Sequence, residues 1–237
     1  MKIIILSLFI FISSLGFNTI PDNSYSGYAI DVKSNRILYK ENHEEFFEKG
    51  KHISTTTIFK NSSDVIIASR TIDFLKGYTT PSFRLSDNRD GSIEGAELRN
   101  DSVVLYSKKN ARSKLAYKTL KVPSPFVIDG GFNYFIKNNW DLLSKGNVIS
   151  FNFVVPALLD YYKFRISKTG ETVISLKKAM VIKLEPDNFI LRSIVNPIII
   201  TYDLKTKRII TYEGISNISD EKGNNYIAKL IYPQTGP

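Results

Sequence analysis

The residues best spaced to do chemistry lie in one loop, Ser86-Asp87-Asn88-Arg89-Asp90-Gly91-Ser92-Ile93-Glu94-Gly95-Ala96-Glu97. Aligned on Gly91, it follows the spacing of a twelve-residue calcium loop: Asn88 and Asp90 at the third and fifth positions, Ile93 at the eighth and Glu97 at the twelfth. Two departures count against calcium. Ser86 stands where an acid is wanted, and Arg89 places a positive charge inside the ring. The flanks also alternate like strands, whereas such a loop sits between helices. Asp90-Gly91 is a standard hairpin turn, and the pattern favours that reading. No metal and no cofactor is expected.

Other catalytic constellations are sparse. There are no cysteines, which removes disulfides, thiolate metal sites and a cysteine nucleophile. The two histidines, His43 and His52, sit in a charged stretch with Glu44, Glu45, Glu48, Lys49 and Lys51 that reads as a solvated hairpin. No G-x-S-x-G, H-E-x-x-H or phosphate loop occurs. Asp73, Asp129, Asp160 and Asp203 are candidate carboxylates for a hydrolase, but no spacing brings two of them together. Arg70 is the more pointed signal. Within Val65–Phe74 it shares a face with Ile66, Ala68, Ile72 and Phe74, and an arginine on an apolar face needs an acidic partner or a ligand. The alternative is a strand covered on both sides, or a strand end from which the side chain reaches water.

The elements that must position such residues are clearest between Asp129 and Ser167. Phe132, Phe135, Ile136, Trp140 and Leu143 fall at i, i+3, i+4, i+8 and i+11, one apolar stripe of a helix over Asp129–Lys145. Asp129 is its expected N-cap and Gly146 its left-handed C-terminal residue. Beyond Gly146 the period becomes two: Ile149, Phe151, Phe153 and Val155 share a face until Pro156 ends the strand. Tyr162, Phe164 and Ile166 repeat the pattern. A helix of this kind covers the apolar face of such a sheet.

Strand-like alternation recurs along the rest of the chain: Tyr28–Lys33, Arg36–Asn42, Phe46–Phe59, Val65–Phe74, Phe83–Leu85, Ile93–Leu98, Val103–Ser107 and Ala116–Val122. After the central strands come Val173–Ser175, Ala179–Leu184, a short helix over Asp187–Ile194, then Ile198–Asp203, Arg208–Glu213 and Tyr226–Tyr232. Asn61-Ser62-Ser63-Asp64 and Lys205-Thr206-Lys207 supply turns. The fold class is mainly β: a curved antiparallel sheet or half-barrel meander with one main helix packed against it. Residues 1–16 read as a signal peptide, with Lys2 as the positive region, Ile3–Ile12 as the apolar core and Ser14-Leu15-Gly16 at the cleavage site. An uncleaved anchor is the alternative. Residues 17–27 form a polar lead and 28–237 a single β-rich domain. A net charge of +9 without a long basic block suits an anionic membrane surface better than nucleic acid, which is not expected as a partner.

The succession Phe83-Arg84-Leu85, Asp87, Arg89, Gly91, Glu94-Gly95, then Asp129-Gly130-Gly131-Phe132 with Trp140, then Leu184-Glu185-Pro186-Asp187 resembles a family of exported bacterial proteins of unknown function. More loosely, a long meander with a helix laid against it resembles the periplasmic lipoprotein-carrier folds, unclosed β-barrels whose concave face holds acyl chains. That resemblance implies a non-enzymatic envelope protein binding a lipid or an acylated protein; the helix stripe and the strand it faces place the groove between sheet and helix, with Phe132, Phe135, Trp140, Phe151 and Phe153 as its ligand-binding residues and Arg70 holding an anionic head. The alternatives are a closed-core structural or protein-interaction module, and then a hydrolase with an unrecognised carboxylate site. Fold analogy is weak warrant for function.

Overall fold

A computed structural model describes residues 20–233. The proposed signal peptide lies outside them. Alternation of side chains produces fifteen strands in one sheet. The first eight are β1 (Asn23–Asp31), β2 (Ile37–Glu48), β3 (Lys51–Asn61), β4 (Ile66–Asp73), β5 (Ser82–Asp87), β6 (Ile93–Arg99), β7 (Ser102–Lys108) and β8 (Ala116–Leu120). Each pairs antiparallel with the next. Then come β9 (Phe126–Ile128), helices α1 (Gly131–Asn138) and α2 (Trp140–Ser144), β10 (Ile149–Val155), β11 (Asp160–Ile174), β12 (Lys177–Pro186), the short helix α3 (Phe189–Arg192), β13 (Ile198–Asp203), β14 (Ile209–Ser219) and β15 (Asn225–Ile231). β15 pairs antiparallel with β1.

The sheet order therefore runs round a ring that is open only between β8 and β9. The two ends approach through side chains instead of a ladder. Val122, Phe126 and Val154 pack with Val103 and Leu105, and Lys118 reaches Asp160 at 3.1 Å. β9 explains the helix. It pairs parallel with β10, and a parallel pair cannot be joined by a hairpin, so α1 and α2 form the crossover between them. The stripe of the helices then lies on the inner face of β10–β13: Phe135, Ile136, Trp140 and Leu143 form one core with Phe151, Ile166, Ile182, Ile200 and Tyr202.

This is the mainly β, curved, unclosed sheet with a packed helix that the alternation implies. The local differences have physical reasons. The helix is broken at Asn139 into α1 and α2. Its N-cap is Gly130 with no side-chain cap bond, because Asp129, at φ 35, turns its carboxylate elsewhere. Phe46–Phe59 is two strands, since Lys49 and Gly50 both take positive φ and make a tight turn. β1 begins at Asn23, inside the stretch expected to be a polar lead, because Asn23–Gly27 finds a partner in β2. Ile66 does not share Arg70's face. A bulge opposite Phe59/Lys60 shifts the register and buries Ile67 instead, leaving Ile66 exposed. α3 is shorter than the helix expected over Asp187–Ile194. Gly146 takes φ 84 as expected.

Candidate functional site

On the inner face of the first half, register places His43 opposite Thr57, Thr57 opposite Arg70, Arg70 opposite Leu85, and Leu85 opposite Glu94. One transverse row of the sheet thus carries Arg70 and Glu94 together with His43 and Thr57, beside buried Phe59, Ala68, Ile72 and Phe83. Arg70 finds its acid at the opening of the helix crossover. Its Nη1 lies 3.4 Å from Asp129 Oδ2, with 19% of the Arg70 side chain and 8% of the Asp129 side chain accessible. The guanidinium also lies over the Phe59 ring at 5.9 Å. Asn217 Nδ2 donates to Asp129 Oδ1 at 3.5 Å. Two atoms at the heart of this arrangement, Arg70 Nε and Asp129 Oδ2, are buried without a hydrogen-bond partner.

Next to it, Glu41 Oε2 accepts from Tyr232 OH at 2.9 Å and contacts His43 Nε2 at 3.0 Å. His43 Nδ1 lies 3.0 Å from the Thr57 hydroxyl. An imidazole carrying its proton on Nε2 satisfies both contacts, donating to Glu41 and accepting from Thr57. Tyr25 stacks on the ring at 4.5 Å. Burial alone would raise the Glu41 pKa, but the hydrogen bond from His43, the charge of Arg70 and the hydrogen bond from Tyr232 hold it below the usual carboxylate range. Burial works against the Arg70 charge, while Asp129 and Glu41 more than offset it, so its pKa is raised. Glu94 has no such support. Burial, and then the charge of Asp129, push it up to about 7 against the smaller opposing pull of Arg70.

The charge balance limits what this cluster can hold. Arg70 is already matched by Asp129 and Glu41, so an anionic head arriving there would meet carboxylates rather than a free cation. Glu94 acts on Asp129, and Asp129 and Glu41 both act on Arg70, a set of coupled groups of the kind that acid–base chemistry draws on. Of the four carboxylates named from sequence, only Asp129 belongs to it. Asp73 accepts from Leu75 N at 2.8 Å, Asp160 pairs with Lys118, and Asp203 caps its own turn through Lys205 N and Thr206 N.

The aromatic residues expected to bind a ligand form a separate group. Phe135 lies 4.7 Å from Phe151, Phe132 lies 5.9 Å from Phe151 and 6.2 Å from Phe153, and Trp140 meets Tyr202 edge-on at 5.9 Å. Phe135, Trp140 and Phe151 are buried, and Phe132 and Phe153 are partly so. An open recess of about 520 Å³ lies where this group meets the β9 edge, lined by Phe135 with Phe126 and Ile149, and by Thr79, Thr80, Ser124, Pro125, Asn138 and Asn139. None of these residues is charged, and Arg70 does not line it.

The loop with calcium spacing is a hairpin turn between β5 and β6, with Gly91 at φ 74. Arg89 is bound to Asp87 through Nε at 3.0 Å and Nη2 at 2.5 Å. Among the described residues no group of three or more acidic or histidine side chains is placed to hold a metal. The histidines depart from the solvated hairpin expected of them: both are buried. The hairpin itself is present, but Tyr39, Glu41 and His43 alternate inward while Lys40 and Glu44 alternate outward. His52 is held between Phe47 and Phe74 and bonds the Tyr134 hydroxyl at 2.8 Å, which ties α1 to the first half of the sheet. Glu41 and Glu94 were not singled out as site residues from the sequence. The alternation Tyr39-x-Glu41-x-His43 was the available signal for the first; for Glu94 there was none.

No family model matches the chain, and no curated protein does. Among solved structures it is similar to a β-barrel-like protein of the domain of unknown function DUF1849 from Brucella abortus, at 9% identity and a TM-score of 0.49, over 90% of this chain and 97% of that one. The chain is thus similar to a bacterial β-rich protein of unknown function.

Proposed function

We propose that this is an exported, non-enzymatic protein of the cell envelope that holds an apolar ligand, a lipid or an acylated protein, between the helix crossover and the sheet. The observation that supports it is the uncharged recess beside Phe126, Phe135 and Ile149. Its volume falls within the range of about 300–1,000 Å³ typical of small-molecule sites. Its walls come from the helix, from β9 and β10 and from Thr79 and Thr80, beside the gap between β8 and β9, so a chain can enter at the one place where the ring lacks a ladder. Export is supported by the pattern of residues 1–16. Arg70 is not assigned to the ligand in this reading, because its charge is already matched.

Trp140, the only tryptophan, sits one residue beyond Asn139 of the recess and reports on it without a label. Titrating delipidated protein with a fatty acid or a phospholipid should change its emission in a saturable way, and Phe126→Ser with Ile149→Ser should abolish that response. Purified protein should also carry extractable lipid. Absence of both lipid and a saturable response removes the ligand role and leaves a closed-core interaction module.

A further inference from the structure

We infer that the loop carrying α3 is a membrane-docking tip, which seats its apolar side chains in a bilayer rich in anionic headgroups. In the seven residues after Asn188, five large apolar side chains point away from the protein: Phe189 at 71% exposure, Ile190 at 55%, Leu191 at 45%, Ile194 at 74% and Val195 at 45%. No residue of α3 is buried. Scattered exposed apolar residues are ordinary, but a contiguous group of this kind marks a surface that meets another phase or partner.

The loop is held in this posture. Asn188 Oδ1 caps the helix, accepting from Ile190 N at 2.9 Å and Leu191 N at 3.2 Å. Val195 N closes the far side on Leu191 O at 2.8 Å. Asp187 anchors the base, accepting from the Ser150 hydroxyl at 3.0 Å, pairing with Lys163 at 3.2 Å and bonding Lys163 O through its own amide at 2.9 Å. Arg192 Nη1 donates to Asp187 O at 3.3 Å. The amides of Ile190 through Val195 all find acceptors within the loop, which lowers the cost of bringing the tip into an apolar medium.

Charge favours a bilayer as the occupant. The surface at the base of the loop carries Lys163, Arg165, Lys183 and Arg192 against Glu185 and Asp187. Four cations against two anions leave a local excess of two positive charges, on a chain whose net charge is +9. An apolar tip above a basic collar is the arrangement that combines insertion with attraction to acidic lipid. This inference does not depend on the recess.

The test is cosedimentation of the whole protein with vesicles, either phosphatidylcholine alone or with about a third phosphatidylglycerol. The wild type should bind the acidic vesicles, with affinity falling several-fold on neutral vesicles or in high salt. Phe189→Ser combined with Ile194→Ser should lower binding to acidic vesicles by about tenfold or more while leaving the melting temperature unchanged, since both side chains are exposed. The double variant keeps every charge, so unaltered binding would mean that general basicity alone is at work and overturns the inference. It is equally overturned if the wild type ignores acidic vesicles, or if it is a dimer in solution that the double variant converts to a monomer, in which case the tip's occupant is a second copy.

Discussion

The two halves of the sheet alternate in the same way, but only the first turns charged groups inward among its apolar residues. From β10 to β13 the inner face is Phe151, Ile166, Ile182 and Ile200, and the helices lie directly on it. From β2 to β6 the corresponding positions include Glu41, His43, Thr57, Arg70 and Glu94. Where a helix supplies apolar cover, the sheet presents apolar residues. Where it does not, buried Phe59, Phe83, Leu85 and Leu105 share the interior with charged groups that must satisfy one another, and Asp129, at the entry to the helix crossover, joins the two solutions. Desolvating charge is costly, so these charged groups are held by pairing, beside an apolar cluster that includes Phe59, Phe83 and Leu105.

The sharpest way to break this contrast is in the apolar half. Phe151→Ala should cost ~3–5 kcal/mol in denaturant unfolding, because the ring is 1% exposed and packs on Phe132 and Phe135. Phe153→Ala, at a partly buried site, should cost clearly less. Equal losses would mean that the helix does not lie on β10 as described. Among the charged groups, Asp129→Asn should cost ~2–4 kcal/mol by removing the nearest of Arg70's counter-charges. Adding Arg70→Met should recover part of that loss; strict additivity in the cycle would show the pair to be uncoupled.

Glu94 gives a smaller, pH-dependent effect. Its native pKa of about 7 stands above the ordinary 4.5, so the native state holds a proton that the unfolded chain has released. This contribution is fully present below pH 4.5 and is lost as pH rises through 7. Glu94→Gln should therefore raise the melting temperature at pH 8, by the equivalent of about 1–3 kcal/mol, and change it little at pH 4. A variant that is no more stable at pH 8 would place Glu94 in water. The smallest effect belongs to the β5–β6 turn. Calcium should leave the melting temperature unchanged in the wild type and in Asp90→Ala with Glu97→Ala, whereas a rise of several degrees in the wild type alone would restore the metal.

Most of the strand pattern was legible because alternation is a local property, and Ile93–Leu98 or Ile198–Asp203 need only their own side chains to be recognised. β9 was not, since Phe126–Ile128 is too short to show a period and is defined by its parallel partner. The polar site was half legible. Arg70 announced a need for an acid, but its acid lies 3.4 Å away in space and in a distant turn, where the local sequence offered Asp129 a cap instead. His43 and Glu41 were hidden by their neighbours: charged residues on both faces of a strand look like solvent exposure until the sheet curls around one face.

The pairing of β1 with β15 has a kinetic side. Tyr28 meets Ile231 and Asp31 meets Ala228, so a strand near the beginning of the described chain waits for one near its end. Consecutive hairpins can form as they emerge, but the edge of β1 has no neighbour until β15 arrives, and contacts so far apart in sequence close slowly. Through that interval Tyr28–Asp31 presents an open row of amides and carbonyls, a template for another chain. Removing β15 would therefore not shorten the ring by one strand. It would create two new edges, on β1 and β14, and aggregation rather than simple unfolding should follow.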